Sequence, residues 1–365
     1  MNTMEIHSLS RTCEPADISS PENIGHFSLN GSKEDYYIRL DESNARWLAM
    51  NLIKDSIDVN LDDGLENYVP RDQPFNRIEP LLTWCMKMAS DKCLSLEQVT
   101  QGANFVTDRT TLTKMAMIPY EENSYGSQWH CCRLGKTIFI CPYRVEEEAK
   151  YYETPVQLKF SYEREKLRDL ITVGYSGNSN RPRPVDGNVV FQHVNTVTIA
   201  ADGTENKIMY SSQVDILEDK KPLEIRIQTE KLGRGVSWRN KAMKWYFQSV
   251  FSGASQILVG IRPRRENYVE SFKKFSIEKM RMEAEWEGNM WWSRKQCLGF
   301  VDQMLKRIQY ELMKMPEQAA LVVIHEPYSN IVNFVVDLEN KNSFLTEEFL
   351  NQFGDTHLST RWPIS

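Results

Sequence analysis

The chain has 365 residues, 41% of them hydrophobic and 26% charged, a composition that excludes wholesale disorder. A net charge of −6 excludes a polycation that coats nucleic acid, so any anionic ligand must be held by a local basic site. No window approaches the run of about 18 apolar residues that a membrane span needs, and the opening MNTMEIHSLSRTCEPADISS lacks the apolar stretch of a secretory signal.

In chain order, residues 1–22 are polar, carry Pro15 and Pro21, and read as a mobile tail. Residues 43–56 place Trp47, Leu48, Leu52 and Ile53 at helical spacing. Residues 76–90 repeat the pattern, with Pro80 in the first turn where a missing N–H costs little. The Val-, Thr- and Ile-rich stretch from 103 to 120 reads as strand, and 128–145 as a hairpin turning at Leu134–Gly135. Residues 162–173 form a charged amphipathic helix ending at Gly174, and 176–188, with Arg181 and Arg183, form the clearest loop. Residues 207–229 read strand, turn, strand. Residues 238–252 read as a helix with Ser237 as N-cap and Gly253 just past its end. A buried strand at 256–262, a helix at 295–313 and two strands around ALVVIHEP and NIVNFVVDL close the chain. No break in composition divides it, which predicts one α/β domain on a mixed sheet.

Seven cysteines, odd in number and without a C-x-x-C pair, read as free thiols in a reducing compartment, cytoplasm or nucleus. Cys131 and Cys132 are adjacent on a predicted strand, so they point to opposite faces and do not share a ligand. His193 and His325 read as structural. Trp286, Trp291 and Trp292 read as buried under the sheet or as a partner surface.

The chemistry concentrates at 207–248. A turn at 218–221 pairs Leu217 with Pro222, which sets Asp215 opposite Glu224 and Gln213 opposite Arg226 on one face. Two close carboxylates suit a hard divalent ion, Mg²⁺ or Mn²⁺. A basic residue two places after the second acid suits the charge developed in phosphodiester cleavage. By itself the pattern fits a solvated hairpin face with an ion pair equally well. Its surroundings favour the chemistry, since residues 226–274 hold eleven Lys or Arg against three acids. Lys241, Lys244 and Gln248 form one polar stripe on an otherwise apolar helix, with Arg239, Trp238 and Trp245 interleaved. Cations for phosphates, carboxylates for a metal and rings for bases are what a nuclease groove needs, although core packing is the simpler role for Trp245.

An ordered series of segments then carries a resemblance: NIGHFSLN near the start, VPRDQ at 69–73, FVTDRTTLTKMAMIPYE at 105–121, LRDLITVGY at 167–175, SSQVDI at 211–216, LEIRIQT at 223–229, KAMKWYFQS at 241–249 and ILVGIRP at 257–263. Over most of its length the chain resembles the DXO family of RNA 5′-end decapping exoribonucleases. The resemblance implies one large α/β domain with two mixed sheets flanked by helices, spanning 23–340 and followed by a C-terminal segment at 341–365. It implies a divalent metal, Mg²⁺ or Mn²⁺, held by Asp215 and Glu224. Arg109, Gln248, Lys244 and Arg239 then contact substrate, an RNA 5′ end or cap nucleotide. A protein partner such as a 5′–3′ exoribonuclease also fits the family. Three departures follow from the same comparison. Asn178 stands where the family has a glutamate after Gly-Tyr, Gln213 where it has a glutamate two residues before the aspartate, and Arg226 where it has a lysine. Losing two carboxylates predicts weak metal affinity and weakened or lost catalysis; the alternative is a fully active metal-dependent decapping nuclease and 5′–3′ exoribonuclease in which Asp215, Glu224, backbone carbonyls and water suffice. Arg226 stays protonated and is able to pair with Asp215 or Glu224 in the metal's place.

Overall fold

The computed structural model describes residues 2–5, 13–32, 34–53, 59–71, 78–120, 126–143, 150, 154–174, 184–229, 236–263, 266–286, 291–317, 319–339 and 341–354. Its strands in chain order are β1 (Asn2–Glu5), β2 (Asp17–Ile18), β3 (Glu22–Asn30), β4 (Tyr37–Arg39), β5 (Arg46–Leu48), β6 (Phe105–Asp108), β7 (Ser127–Leu134), β8 (Thr137–Tyr143) and β9 (Thr172–Gly174). They continue with β10 (Val190–Ala201), β11 (Thr204–Gln213), β12 (Ile216–Glu218), β13 (Lys221–Thr229), β14 (Gln256–Arg262), β15 (Ser271–Ser276), β16 (Ala320–His325) and β17 (Ile331–Asp337). The helices are α1 (Glu79–Lys92), α2 (Leu96–Val99), α3 (Arg109–Met117), α4 (Pro155–Ile171), α5 (Val236–Ser252), α6 (Ile277–Ala284), α7 (Arg294–Met313) and α8 (Glu347–Phe353).

Two mixed sheets result, as expected. The larger runs β1-β17-β16-β7-β8-β6-β11-β10-β3-β4 with β2 also on β10, and the smaller runs β15-β14-β13-β12-β5-β9. Between them lies α5, apolar on two sides. Met243, Phe247 and Phe251 pack toward the large sheet with α3 and α7, while Trp238, Ala242 and Trp245 pack against Ile257 and Val259 of the small one. The other face of the large sheet is covered by α1 and α8, and that of the small sheet by α4. Cys131 joins one of these cores and Cys132 the other, as strand alternation requires. None of the seven cysteines forms a disulfide.

Several local expectations are corrected. Residues 43–56 hold no α-helix in their described part. Arg46–Leu48 is a strand between β12 and β9, followed by one 3₁₀ turn at Met50–Leu52. A short apolar run satisfies both periods, and pairing within the sheet decides between them. The stretch from 103 is strand only as far as Asp108. There the Asp108 carboxylate accepts the Thr111 N–H at 2.7 Å and starts α3, burying Thr111 and Thr113 in a helix. The hairpin turns at Gly135–Lys136, one residue later than expected. Ser237 lies inside α5, whose first residue is Val236. The stretch read as a tail is tied down in two places: β1 pairs with β17, and β2 pairs with β10 beside buried Cys13 and Ala16.

Candidate functional site

The site forms where the chain passes from one sheet to the other. Gln213 ends β11 in the large sheet, and Ile216 begins β12 in the small one. Between them the Val214 N–H donates to the Phe191 carbonyl at 3.0 Å and pins the corner. The hairpin register is the expected one, with Leu217 opposite Pro222 and Ile216 opposite Leu223. Its two-residue loop, Asp219–Lys220, has φ of 49° and 65°, the left-handed pair that matches strand twist in a tight hairpin. Asp215 and Glu224 therefore meet at the open end of this hairpin, both buried.

Gln213 does not face Arg226. Its ladder partner is Gln192 of β10, because the corner at 214 moves it into the other sheet. Arg226 instead turns back onto the two acids. Its Nη1 donates to Asp215 Oδ2 at 3.1 Å and to the Ile225 carbonyl at 2.7 Å, and its Nη2 donates to Glu224 Oε2 at 2.7 Å and to Gln248 Oε1 at 2.9 Å. Arg109, the first residue of α3, donates Nη1 to the other oxygen of Glu224. The Asp215 side chain is 4% exposed and that of Glu224 2%. Burial alone would push the Asp215 carboxyl up, but the guanidiniums of Arg164, Arg226, Arg109 and Arg168 outweigh it and hold it below the usual carboxylate range. Arg164 and Arg168, both from α4, share Glu165 at 2.9 and 2.7 Å.

A guanidinium thus bridges the two carboxylates that a divalent ion would need. Among the described residues no group of three or more His, Cys, Asp or Glu side chains is arranged to hold a metal. In this arrangement the donor set does not fit a divalent cation, since the ligand oxygens already accept from Arg226 and Arg109. Asn178, Arg181 and Arg183 lie outside the described residues.

The basic stripe is only partly gathered here. Gln248 reaches the site, Lys244 is exposed on the same helix, and Lys241 donates to Gln228 at 3.0 Å. Arg239 lies over the Trp291 ring at 4.7 Å, and Arg262 pairs with Glu163 at 2.7 Å on the opposite face of the small sheet. Trp238 and Trp245 are buried edge to face at 5.7 Å and belong to the core. Of the other tryptophans, Trp292 is buried and Trp286 is 73% exposed.

Arg71, Arg164 and Arg168 escaped the reading of the sequence as site residues. Arg71 donates Nη1 to Gln213 Oε1 at 2.8 Å. It is delivered by a strap at 69–71, held by a Val69–Asp186 bridge and by the Gly187 N–H on the Val69 carbonyl at 2.8 Å. A Cβ on Gly187 would fall 2.7 Å from the Arg71 nitrogen, so only glycine lets the strap pass this closely. The sole signal for Arg71 in the sequence was its place in the VPRDQ segment.

Taken together, the fold and the site define a two-sheet α/β protein with two buried acids at the junction of the sheets, neutralised internally by arginines. A family model described as RAI1-like PD-(D/E)XK nuclease matches residues 19–350. The chain belongs to this family. A decapping and exoribonuclease protein of Rattus norvegicus is 25% identical over 307 residues, covering 77% of this chain and 72% of that protein. The Candida albicans Rai1 structure, in complex with pU5 and Mn²⁺, superposes with a TM-score of 0.77 at 15% identity, over 96% of this chain and 98% of that one. A mutant S. pombe Rai1 with three glutamates replaced, in complex with 3′-FADP, superposes at 0.71 with 16% identity, over 92% and 98%. No helix among the described residues is long and apolar enough to cross a membrane.

Proposed function

We propose that this chain recognises RNA 5′ ends in the pocket of a decapping nuclease and hydrolyses them weakly or not at all. One observation carries the reading: the Arg226 guanidinium bridges Asp215 and Glu224, the two acids that the D…(D/E)-x-K pattern assigns to the metal. Arginine at the lysine place keeps its proton and its fork, so it serves as a fixed cation rather than as a group that activates water. With Gln213 an amide, the metal side of the pocket is short of charge.

Binding does not need that charge. Arg71, Arg109, Arg164, Arg168 and Arg226 gather around the carboxylates of Asp215, Glu224, Glu165, Asp108 and Asp169, and guanidinium forks suit phosphate. The S. pombe relative supports the same separation of roles, since its mutant with three glutamates replaced still holds 3′-FADP.

The test is a cleavage assay on one RNA with a 5′-monophosphate, a triphosphate, an unmethylated cap or a dinucleotide cap, in Mg²⁺ and in Mn²⁺. Asp215→Ala and Glu224→Ala serve as controls, and binding is measured in parallel with EDTA. The expected result is RNA binding that survives EDTA and no product above the controls. Multiple-turnover, metal-dependent cleavage that consumes the substrate and is absent from both controls would overturn the proposal and establish a working nuclease with two carboxylates.

A further inference from the structure

The small sheet ends on β15, which pairs with β14 on one side only. Its six residues run Ser-Phe-Lys-Lys-Phe-Ser, the same in both directions. One step beyond the Gln256–Ser276 pair, the Ile277 N–H donates to the Ser255 carbonyl at 3.2 Å. An antiparallel ladder bonds at every second residue, so Ser271, Lys273 and Phe275 turn their N–H and C=O groups toward β14. Phe272 and Lys274 turn theirs to the open edge, where no strand among the described residues meets them. Side chains alternate as well. Phe272 packs with the core under α4 and Phe275 with the core under α5, and each shares its face with one exposed lysine, Lys274 or Lys273.

The other sheet ends are shorter. β4 and β9 have three residues each and β1 has four, and the Ile38 carbonyl of β4 accepts from Lys87 of α1 at 3.2 Å. Lysines on an edge guard it against pairing with its own kind. The palindrome makes that explicit: a two-fold pairing with a second copy would match Phe272 with Phe275 but set Lys273 against Lys274 twice, and like charges directly opposite are destabilising. The same pattern favours a strand that carries acids at those places. Lys273 makes no ion pair with any described residue, and Lys274 pairs with the partly exposed Glu218. Of the acids flanking the strand, Glu270 is exposed and Glu278 is held by Arg281.

We propose that β15 is a docking edge for an extended acidic segment of a partner protein, which adds a seventh strand to the six-stranded sheet through the backbone groups of Phe272 and Lys274. The segment reads apolar-acid-acid-apolar, with its acids opposite Lys273 and Lys274 and its apolar residues opposite Phe272 and Phe275. The edge lies outside the pocket, so this docking is independent of what the pocket binds.

The experiment titrates the full chain, by fluorescence anisotropy, with a labelled hexapeptide Thr-Val-Glu-Glu-Val-Thr and with its analogue in which lysines replace the glutamates. The acidic peptide binds and the basic one does not. An opposite-charge pair across strands is worth up to about fivefold and a like-charge pair costs as much, so Lys273→Glu weakens the acidic peptide by about tenfold. Lys274→Pro removes an outward N–H and leaves the β14 ladder intact, so its thermal unfolding stays near that of Lys274→Gln while its binding is lost. Lys274→Gln, which removes the charge alone, retains weakened binding. Lys279→Glu, exposed on α6 away from the edge, leaves binding unchanged within about twofold. If Lys274→Pro unfolds, methylating alternate peptide nitrogens of the acidic hexapeptide removes the same hydrogen bonds from the other side and abolishes binding. No binding of the acidic peptide, equal binding of both peptides, or full binding by Lys274→Pro or by the methylated peptide overturns the proposal. Displacement of the peptide by oligouridylate of equal charge as readily as by unlabelled peptide would make the edge a general polyanion surface and also overturn it.

Discussion

Replacing Arg226 by methionine keeps most of the stem and removes the charge between Asp215 and Glu224. The wild-type guanidinium makes four hydrogen bonds, and its side chain is 11% exposed between acids that are 4% and 2% exposed. Removing one partner of a buried ion pair costs about 3–5 kcal/mol. Here Glu224 keeps Arg109, and Asp215 keeps the Ile225 N–H at 3.3 Å, which places the loss at the lower end, about 3 kcal/mol. The loss depends on pH. In the wild type Asp215 is held below the usual carboxylate range, so its contribution is present above about pH 4 and fades as pH falls through its folded pKa. In the variant that depression is lessened, with Arg164, Arg109 and Arg168 still in place, and Asp215 takes up its proton at higher pH than in the wild type, so the deficit against wild type narrows on acidification. Urea unfolding followed by tryptophan fluorescence, at neutral pH and near pH 4, measures both effects. The vacated position also becomes a cation site. Mn²⁺ at a hundredfold excess over its Kd returns about 2.7 kcal/mol to the variant and nothing to the wild type. Equal stabilisation of both proteins by Mn²⁺ would mean that the ion and the guanidinium coexist, and the reasoning would fail.

Two further predictions concern the scaffold. His193 is pushed down to about 4, first by burial and then by His26, so the unfolded chain binds a proton between that value and its ordinary 6.5 while the fold does not. Stability therefore falls as pH drops through this window, by on the order of 3 kcal/mol, and His193→Gln flattens that limb of the unfolding profile; an unchanged limb would mean that His193 is freely protonated in the fold. A Cβ at Gly299 of α7 would collide with the Glu14 carbonyl, next to the Ala16 N–H that donates to Lys295 at 3.1 Å. Helix propensity alone would make Gly299→Ala stabilising by about 1 kcal/mol. Overpacking against a held segment makes it destabilising by about 1–3 kcal/mol. The sign of the change in thermal unfolding decides whether residues 13–16 are part of the fold.

Much of the site was legible because it is local. Strand alternation and a two-residue turn bring Asp215 and Glu224 to the end of one hairpin from a single ten-residue segment, and the register follows from the pairing of Leu217 with Pro222. The family pattern is likewise an order of short segments along the chain. The basic stripe on α5 was visible in helical spacing, yet spacing does not say which face meets which sheet, so Arg239 turned onto Trp291, and Arg262 at the end of β14 turned to Glu163. The strand propensity of Thr111 and Thr113 gave way to a cap at Asp108, and the helical spacing of Trp47 and Leu48 gave way to pairing with β12 and β9.

What the amino-acid sequence determined by itself was the inventory: two acids in hairpin register, an arginine two places after the second, and apolar periods enough for one α/β core. Whether Arg226 would solvate outward or turn inward was decided only by the tertiary structure, because the choice depends on the burial of Asp215 and Glu224 and on Gln248 arriving from α5, 22 residues on. The same holds for Arg71 and Gln213, which meet across 142 residues through a strap that only Gly187 allows so close. Local geometry is written in spacing and turn chemistry. The charge balance of a buried site is set by which distant side chains share its low-dielectric space, and only folding brings them there.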